Sequence, residues 1–225
     1  MKRSANIGVI ALVATALVAA YALGSSRENG SSRENGSSRE SATERRVSGA
    51  PAAATPARMD EAAFWQLTAD TRAAAGNDTG RQSELLEERL SQLPAQQIVD
   101  FGRIRHRLDQ RAYSWDVWGA AYVIDDGCSD DCFRDFRAYL ISLGRDPYEA
   151  ALRDPDALAP VVQDAEEGDW ENADNVAPDA YESATGEDIP TDDSDLSGNP
   201  SGEPWDDKDQ DALVQRYPAL AARFR

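Results

Sequence analysis

Between Asp125 and Cys132 the chain places four aspartates and two cysteines in eight residues, Asp125-Asp126-Gly127-Cys128-Ser129-Asp130-Asp131-Cys132. Carboxylates at that density invite calcium, but a calcium loop needs acids at its first, third and fifth positions before a glycine, and this spacing differs. Helix capping accounts for more of it. Ser129 is a good N-cap, Asp130 and Asp131 then fall in the first turn, where carboxylates complement the helix dipole, and Cys128 can staple onto Phe133. The two cysteines are too few for a disulfide scaffold, and their spacing is not the two-residue gap of redox and zinc motifs. At a helix start four residues can still bring two sulfurs together, so a bridge and a pair of buried thiols both remain open, the thiols being the expectation.

The rest of the chemical inventory is thin. His106 is the only histidine, which excludes a His-rich metal centre and leaves a Ser–His–Asp arrangement only if His106 supplies it. A hydrolase or transferase would have to use Asp125, Asp126, Asp130 or Asp131, with Arg137 binding an anion. Acids in an exposed helix cap seldom have the perturbed environment that acid–base work needs. No catalytic, cofactor-binding or metal-ligating residue is therefore assigned.

The elements around this segment read as helices almost throughout. Asp60 caps a first helix bearing Phe64 and Leu67. A second, near Ser83–Gln92, aligns Leu86, Leu90 and Leu93. Pro94 suits the first turn of a third, with Ile98, Phe101, Ile104 and Leu108 on one side. The other side bears Arg103, Arg105, His106, Arg107 and Arg111, a stripe expected to pair with the domain's own carboxylates. Tyr113 to Ile124 holds one charge in twelve residues and is read as the buried helix, with Gly119 letting a neighbour approach closely. The helix after Ser129 buries Phe133, Phe136 and Leu140 and ends near Gly144. A short helix and an Asp154-Pro155 turn follow, then one or two short helices from Trp170 to Thr185, with Pro178 starting or kinking the second. Residues 187–205 read as a mobile acidic loop. A last helix from about Asp206 carries Leu213, Tyr217, Leu220 and Phe224 to the core despite Pro218. The expected class is all-α, one mainly helical domain.

In front of that domain stand two different segments. Met1-Lys2-Arg3 is basic, and Ile7 to Leu23 runs 17 residues without a charge. A helix of that length measures about 26 Å, a little less than the ~30 Å hydrocarbon core. Ala20-Tyr21-Ala22 resembles a signal-peptidase site, so residues 1–24 read as a signal peptide or a single-span anchor that leaves the C-terminal domain outside. Residues 25–58, opening SSRENG-SSRENG-SSRE, form a low-complexity disordered linker stiffened by Pro51 and Pro56. The alternative is translation from Met59, which begins the globular pattern as MDEAAFW and would make the domain cytoplasmic.

Charge divides the same way. Residues 1–58 hold eight Lys/Arg and four Glu, while residues 59–225 hold 15 Lys/Arg and 37 Asp/Glu, a net charge of −22. Such a field repels nucleic acid, whose binding depends on clustered Lys/Arg displacing counterions. It suits a basic protein or a cation, so the primary expectation is a non-catalytic interaction domain tethered at or exported across a membrane, in contact with the membrane through residues 7–23 if these are uncleaved. The alternative is an immunity-like or chaperone-like acidic protein starting at Met59.

Several segments together resemble a known family: MDEAAFW at 59–65, SWDVWGAAYVIDDGCSDDCFRDFRAYLISLGRDPYEAALRDPDALA at 114–159, AYESATGEDIP at 180–190 and ALVQRYPALAARF at 212–224. They look like the bacterial family catalogued as domain of unknown function 4240, over 59–225. The resemblance implies a compact, mainly helical domain of a kind common in actinomycetes, and it carries no activity, substrate or site residue. Cys132 stands where the family pattern has a small or polar residue, so a paired-cysteine function is not implied by the resemblance.

Overall fold

The computed structural model describes residues 58–162, 170–190 and 198–225. The apolar segment 7–23 and the repeat linker lie outside the described residues, and among the latter no helix is long and apolar enough to cross a membrane. The described chain is mainly helical: α1 (Glu61–Ala75), α2 (Thr79–Leu90), α3 (Ala95–Ala112), α4 (Trp115–Ile124), α5 (Asp130–Ser142), α6 (Arg145–Arg153), α7 (Val176–Thr185), α8 (Gln210–Arg216) and α9 (Pro218–Phe224), with 3-10 turns at Pro155–Leu158 and Glu171–Asp174.

Local chemistry sets most of these boundaries. Asp60 accepts the Ala63 N–H, Asp78 that of Arg81, Ser114 that of Val117, Ser129 that of Cys132 and Asp209 that of Ala212, so five helices begin at a side chain satisfying an otherwise orphaned amide. Asp78 explains why α2 starts before the Ser83 read from its leucines. A cap precedes the first apolar residue by a turn and leaves no periodic trace. Pro218 splits the expected last helix, so that α9 starts afresh with its amides on another chain segment: Asp156 accepts the N–H groups of Ala219 and Leu220 at 3.0 and 2.9 Å.

Packing follows from the apolar faces. α1 lies on α2, α7 packs on both α2 and α3, and α9 lies against α4 and the Pro155–Leu158 turn. Ile98, Phe101, Ile104 and Leu108 of α3 are all buried, as their spacing requires, together with Phe133, Phe136 and Leu140 of α5. Full burial of one such side chain is worth about 1.5–3 kcal/mol. Gly119 of α4 is the point of closest approach. A Cβ there would stand 2.5 Å from the Tyr217 hydroxyl oxygen and 3.0 Å from its ring, so the residue that enters is a tyrosine from the α8–α9 junction. Tyr217 donates to the Asp116 carbonyl at 2.8 Å, and burial pushes its hydroxyl up to about 12.

One expectation needs correcting. α4 is not enclosed on all sides: Val117, Ala120, Ala121, Val123 and Ile124 are buried, but Trp115, Trp118 and Tyr122 are only partly covered. Uniform hydrophobicity concealed a second face, on which rings cover one another instead of being covered by helices. Near the end of the 187–205 segment, described residues bond to the start of α4. Ser201 bridges to the residues on either side of Ser114: its N–H donates to the Tyr113 carbonyl at 3.0 Å, and its carbonyl accepts the Trp115 N–H at 2.9 Å. Trp205 Nε1 then donates to the Trp115 carbonyl at 2.8 Å.

Candidate functional site

The aspartate- and cysteine-rich segment forms the turn between α4 and α5. Asp126 takes φ 51° and Gly127 φ 128°, so the chain reverses through two consecutive residues on the left-handed side. An aspartate tolerates that region better than most side chains, and glycine is indifferent to it. The reversal delivers Ser129 to its capping position, where Oγ accepts the Cys132 N–H at 3.3 Å. Asp130 and Asp131 lie exposed in the first turn of α5, and Asp131 pairs with Arg134 at 3.3 Å. The capping account of the acids therefore holds.

The cysteines depart from the expected thiols. Cys128 and Cys132 form a disulfide, with Cα atoms 5.3 Å apart. The reversal and the single helical turn between them place both Cβ atoms within bridging range, which spacing alone could not decide. Cys128 is nearly buried and Cys132 partly so. The Asp125 carboxylate lies 3.2 Å from Cys132 Sγ, and one oxygen of Asp125 and the two sulfurs all fall within 4.8 Å of one another. Trp118 Nε1 donates to the Cys128 carbonyl at 2.9 Å and fixes the turn from the α4 side.

Trp118 belongs to an aromatic stack. Its ring lies parallel to Trp115, with centroids 5.2 Å apart, and to Phe133 at 4.9 Å. Trp205 meets Trp115 edge-on at 5.9 Å and packs on Tyr122 at 4.9 Å. Offset and edge-to-face contacts of this kind add about 0.5–1.5 kcal/mol each beyond area burial. Nothing in the local sequence of Trp205, set among acids and prolines, signals that partner.

The carboxylates proposed for acid–base chemistry are dispersed. The Asp126 side chain is 89% exposed, with Arg225 3.8 Å away, and Asp130 and Asp131 face solvent. Arg137 is not open to an anion: it is buried, donates to Asp109 Oδ2 at 2.7 Å, and stacks over the Tyr113 ring at 4.6 Å. His106 is exposed on the outer face of α3. A shallow groove of about 380 Å³ lies elsewhere, between Trp65 and Gln66 of α1 and Gly144–Pro147, and takes in none of these acids.

Two carboxylates withdrawn from solvent, Asp100 and Asp109, carry no signal in the sequence. Asp109 sits between Arg137 and Arg105. Burial pushes its carboxyl above the ordinary range against the pull of the two arginines, and desolvation lowers the Arg105 guanidinium. Arg105 also pairs with Asp174, and Arg111 with Glu149 and Glu61, so two members of the basic stripe are matched by the domain's own acids. Asp100 is 4% exposed and receives Arg58 Nε at 2.7 Å, Arg58 Nη2 at 2.6 Å, the Met59 N–H at 3.1 Å and Gln96 Nε2 at 3.2 Å. Burial alone would raise its carboxyl. The donated hydrogen bonds and the guanidinium overcome it and hold the group below its usual value.

No curated protein and no solved structure matches the chain. The family described as "Protein of unknown function (DUF4240)" matches residues 59–183. That span runs from Met59, which is clamped by Asp100, through the α4–α5 turn into α7; it ends within the 180–190 segment and does not reach the segment at 212–224. By this match over more than half its length, the chain belongs to the DUF4240 family.

Proposed function

We propose that residues 59–225 form a non-catalytic protein-interaction domain that offers an acidic surface to a basic partner or a cation, and that residues 1–58 tether it at a membrane or export it. One observation carries the reading: several arginines of the domain are engaged by its own acids, whereas a group of late acids has no such partner among the described residues. Arg105, Arg111 and Arg137 are engaged with Asp174, Glu149 and Asp109. Glu203, Asp206, Asp207 and Asp211 are exposed, and among the described residues none of them has an ion-pair partner. Charges so placed cost the fold little and steer an oppositely charged partner over about a Debye length, ~8 Å at physiological salt.

The test is capture from envelope fractions by the full chain and by a variant with Asp206, Asp207 and Asp211 all changed to Asn. The reading expects a basic protein that binds at low salt, elutes as salt rises and is lost by the variant. Capture that ignores both salt and the substitutions overturns it.

A second reading is favoured by Asp100. In a chain starting at Met59, the α-ammonium would stand where the Met59 N–H meets the buried carboxylate, and would take over the pairing now made by Arg58. The domain would then be a cytoplasmic, immunity-like or chaperone-like protein neutralising a basic enzyme. Intact mass and N-terminal sequence of the native protein from fractionated cells separate the readings. A start at Met1 in membranes or Leu23 outside supports the first, and Met59 in cytosol the second.

A further inference from the structure

We infer that the Cys128–Cys132 bridge is reversible, and that its reduced form, with Asp125, is a binding site for a thiophilic divalent cation of the Zn²⁺ class. The inference stands apart from the acidic-surface reading, because it rests on the α4–α5 turn alone.

The backbone of both cysteines is held without help from the sulfur–sulfur bond. Trp118 donates to the Cys128 carbonyl, and Ser129 accepts the Cys132 N–H. The turn is shaped by Asp126 and Gly127 and backed by the Trp118–Phe133 stack. Cleaving the bond therefore leaves two sulfurs in place beside a carboxylate. Asp125 Oδ2 lies 3.2 Å from Cys132 Sγ. A bridged sulfur has no hydrogen to donate, so that contact becomes a hydrogen bond only after reduction. The three atoms already lie within 4.8 Å of one another. With Zn–S bonds of about 2.3 Å and a tetrahedral angle, the two sulfurs need to stand about 3.8 Å apart, which a side-chain rotation at each cysteine supplies. Cys128 is 9% exposed while Cys132 is more open, so an external reductant has a sulfur to attack.

The chemistry balances with a dithiol as reductant. Its thiolate attacks Cys132 Sγ, the protein S–S bond breaks, and a mixed disulfide forms. The second thiol of the reductant then displaces Cys132 and closes the reductant's own disulfide. Two electrons and two protons have passed to Cys128 and Cys132. Cation binding releases those two protons, leaving two thiolates and the Asp125 carboxylate as ligands, with water in the fourth position. An oxidising compartment keeps the bridge and a reducing one opens the site, so the two localisations weighed above would hold the turn in different chemical states.

The full chain is titrated with Co²⁺, anaerobically, before and after phosphine reduction confirmed by thiol alkylation and mass. The reduced chain is expected to bind one Co²⁺ with a thiolate-to-cobalt charge-transfer band that equimolar Zn²⁺ abolishes, and the oxidised chain to show no such band. Cys132→Ala should remove the band. Asp125→Asn should keep it and weaken binding at least about tenfold. A bridge that resists phosphine in the folded chain, a reduced chain without the band, or an Asp125→Asn variant that titrates like the parent overturns the inference. The comparison of oxidised and reduced parent chain needs no variant to fold.

Discussion

Helix α3 and the C-terminal stretch from Glu203 to Asp211 both carry aspartates, and the fold treats them oppositely. Asp100 and Asp109 are withdrawn from water, and each is met by arginine: Arg58 for the first, Arg137 and Arg105 for the second. Glu203, Asp206, Asp207 and Asp211 remain in solvent with no such partner among the described residues. A buried ion costs several kcal/mol unless paired and hydrogen-bonded, so the interior acids exist only with their arginines. Exposed acids carry almost no such cost. The first set serves the fold, and the second costs it little.

That contrast is sharpest at Asp109. Changing Asp109→Ala takes the paired carboxylate from buried Arg137, and urea denaturation should record a loss of about 3–5 kcal/mol. Replacing Asp109 and Arg137 together by Leu and Met should recover most of it. If the single substitution costs no more than a surface change, the division between paired interior and free exterior fails.

A smaller loss belongs to the neighbouring α4 contact, where shape rather than charge decides. Gly119→Ala places a methyl against the Tyr217 hydroxyl and should cost about 1–3 kcal/mol. Tyr217→Phe alone removes the bond to the Asp116 carbonyl, worth about 1 kcal/mol. The double variant should cost less than the two losses added, because the two groups compete for the same space.

Acid titration separates the two interior carboxyls by sign. The folded pKa of Asp100 lies below its unfolded value of about 3.9, so its stabilisation is fully present above that value and is lost as pH falls through the lower, folded one. Asp109 is raised, so between about 3.9 and its folded value the native state binds more protons than the unfolded chain, and its share of stability declines as pH rises. Denaturation midpoints across the acid range should show Asp100→Asn flattening the loss at low pH. An unchanged acid limb would remove Asp100 from the account. Least of all, changing Asp206, Asp207 and Asp211 to Asn should leave stability within about 0.5 kcal/mol per substitution while abolishing any salt-sensitive binding.

Much of the architecture was legible. Ile98, Phe101, Ile104 and Leu108 repeat at helical spacing and are buried, and Asp60 and Ser129 cap where their side chains dictate. The capping explanation of Asp130 and Asp131 needed only the dipole argument. What escaped has a common cause. Asp109 is indistinguishable in sequence from any helical aspartate, because its burial depends on α5 bringing Arg137 across from 28 residues away. Trp205 looked like part of a loose acidic loop, because its partner Trp115 lies 90 residues earlier. The apolar run of α4 was legible as a helix but not as one with a half-covered aromatic face.

By itself, then, the sequence determined the helices, their caps, the acidic excess and the family resemblance, since each depends on residues within a turn or two of one another or on composition. Only the tertiary structure decided that Cys128 and Cys132 are joined, that Arg137 is buried with Asp109, and that Tyr217 fills the space Gly119 leaves. The first depends on the backbone path of the α4–α5 turn, which residue spacing does not specify, and the other two on how helices far apart in the chain pack around a shared core.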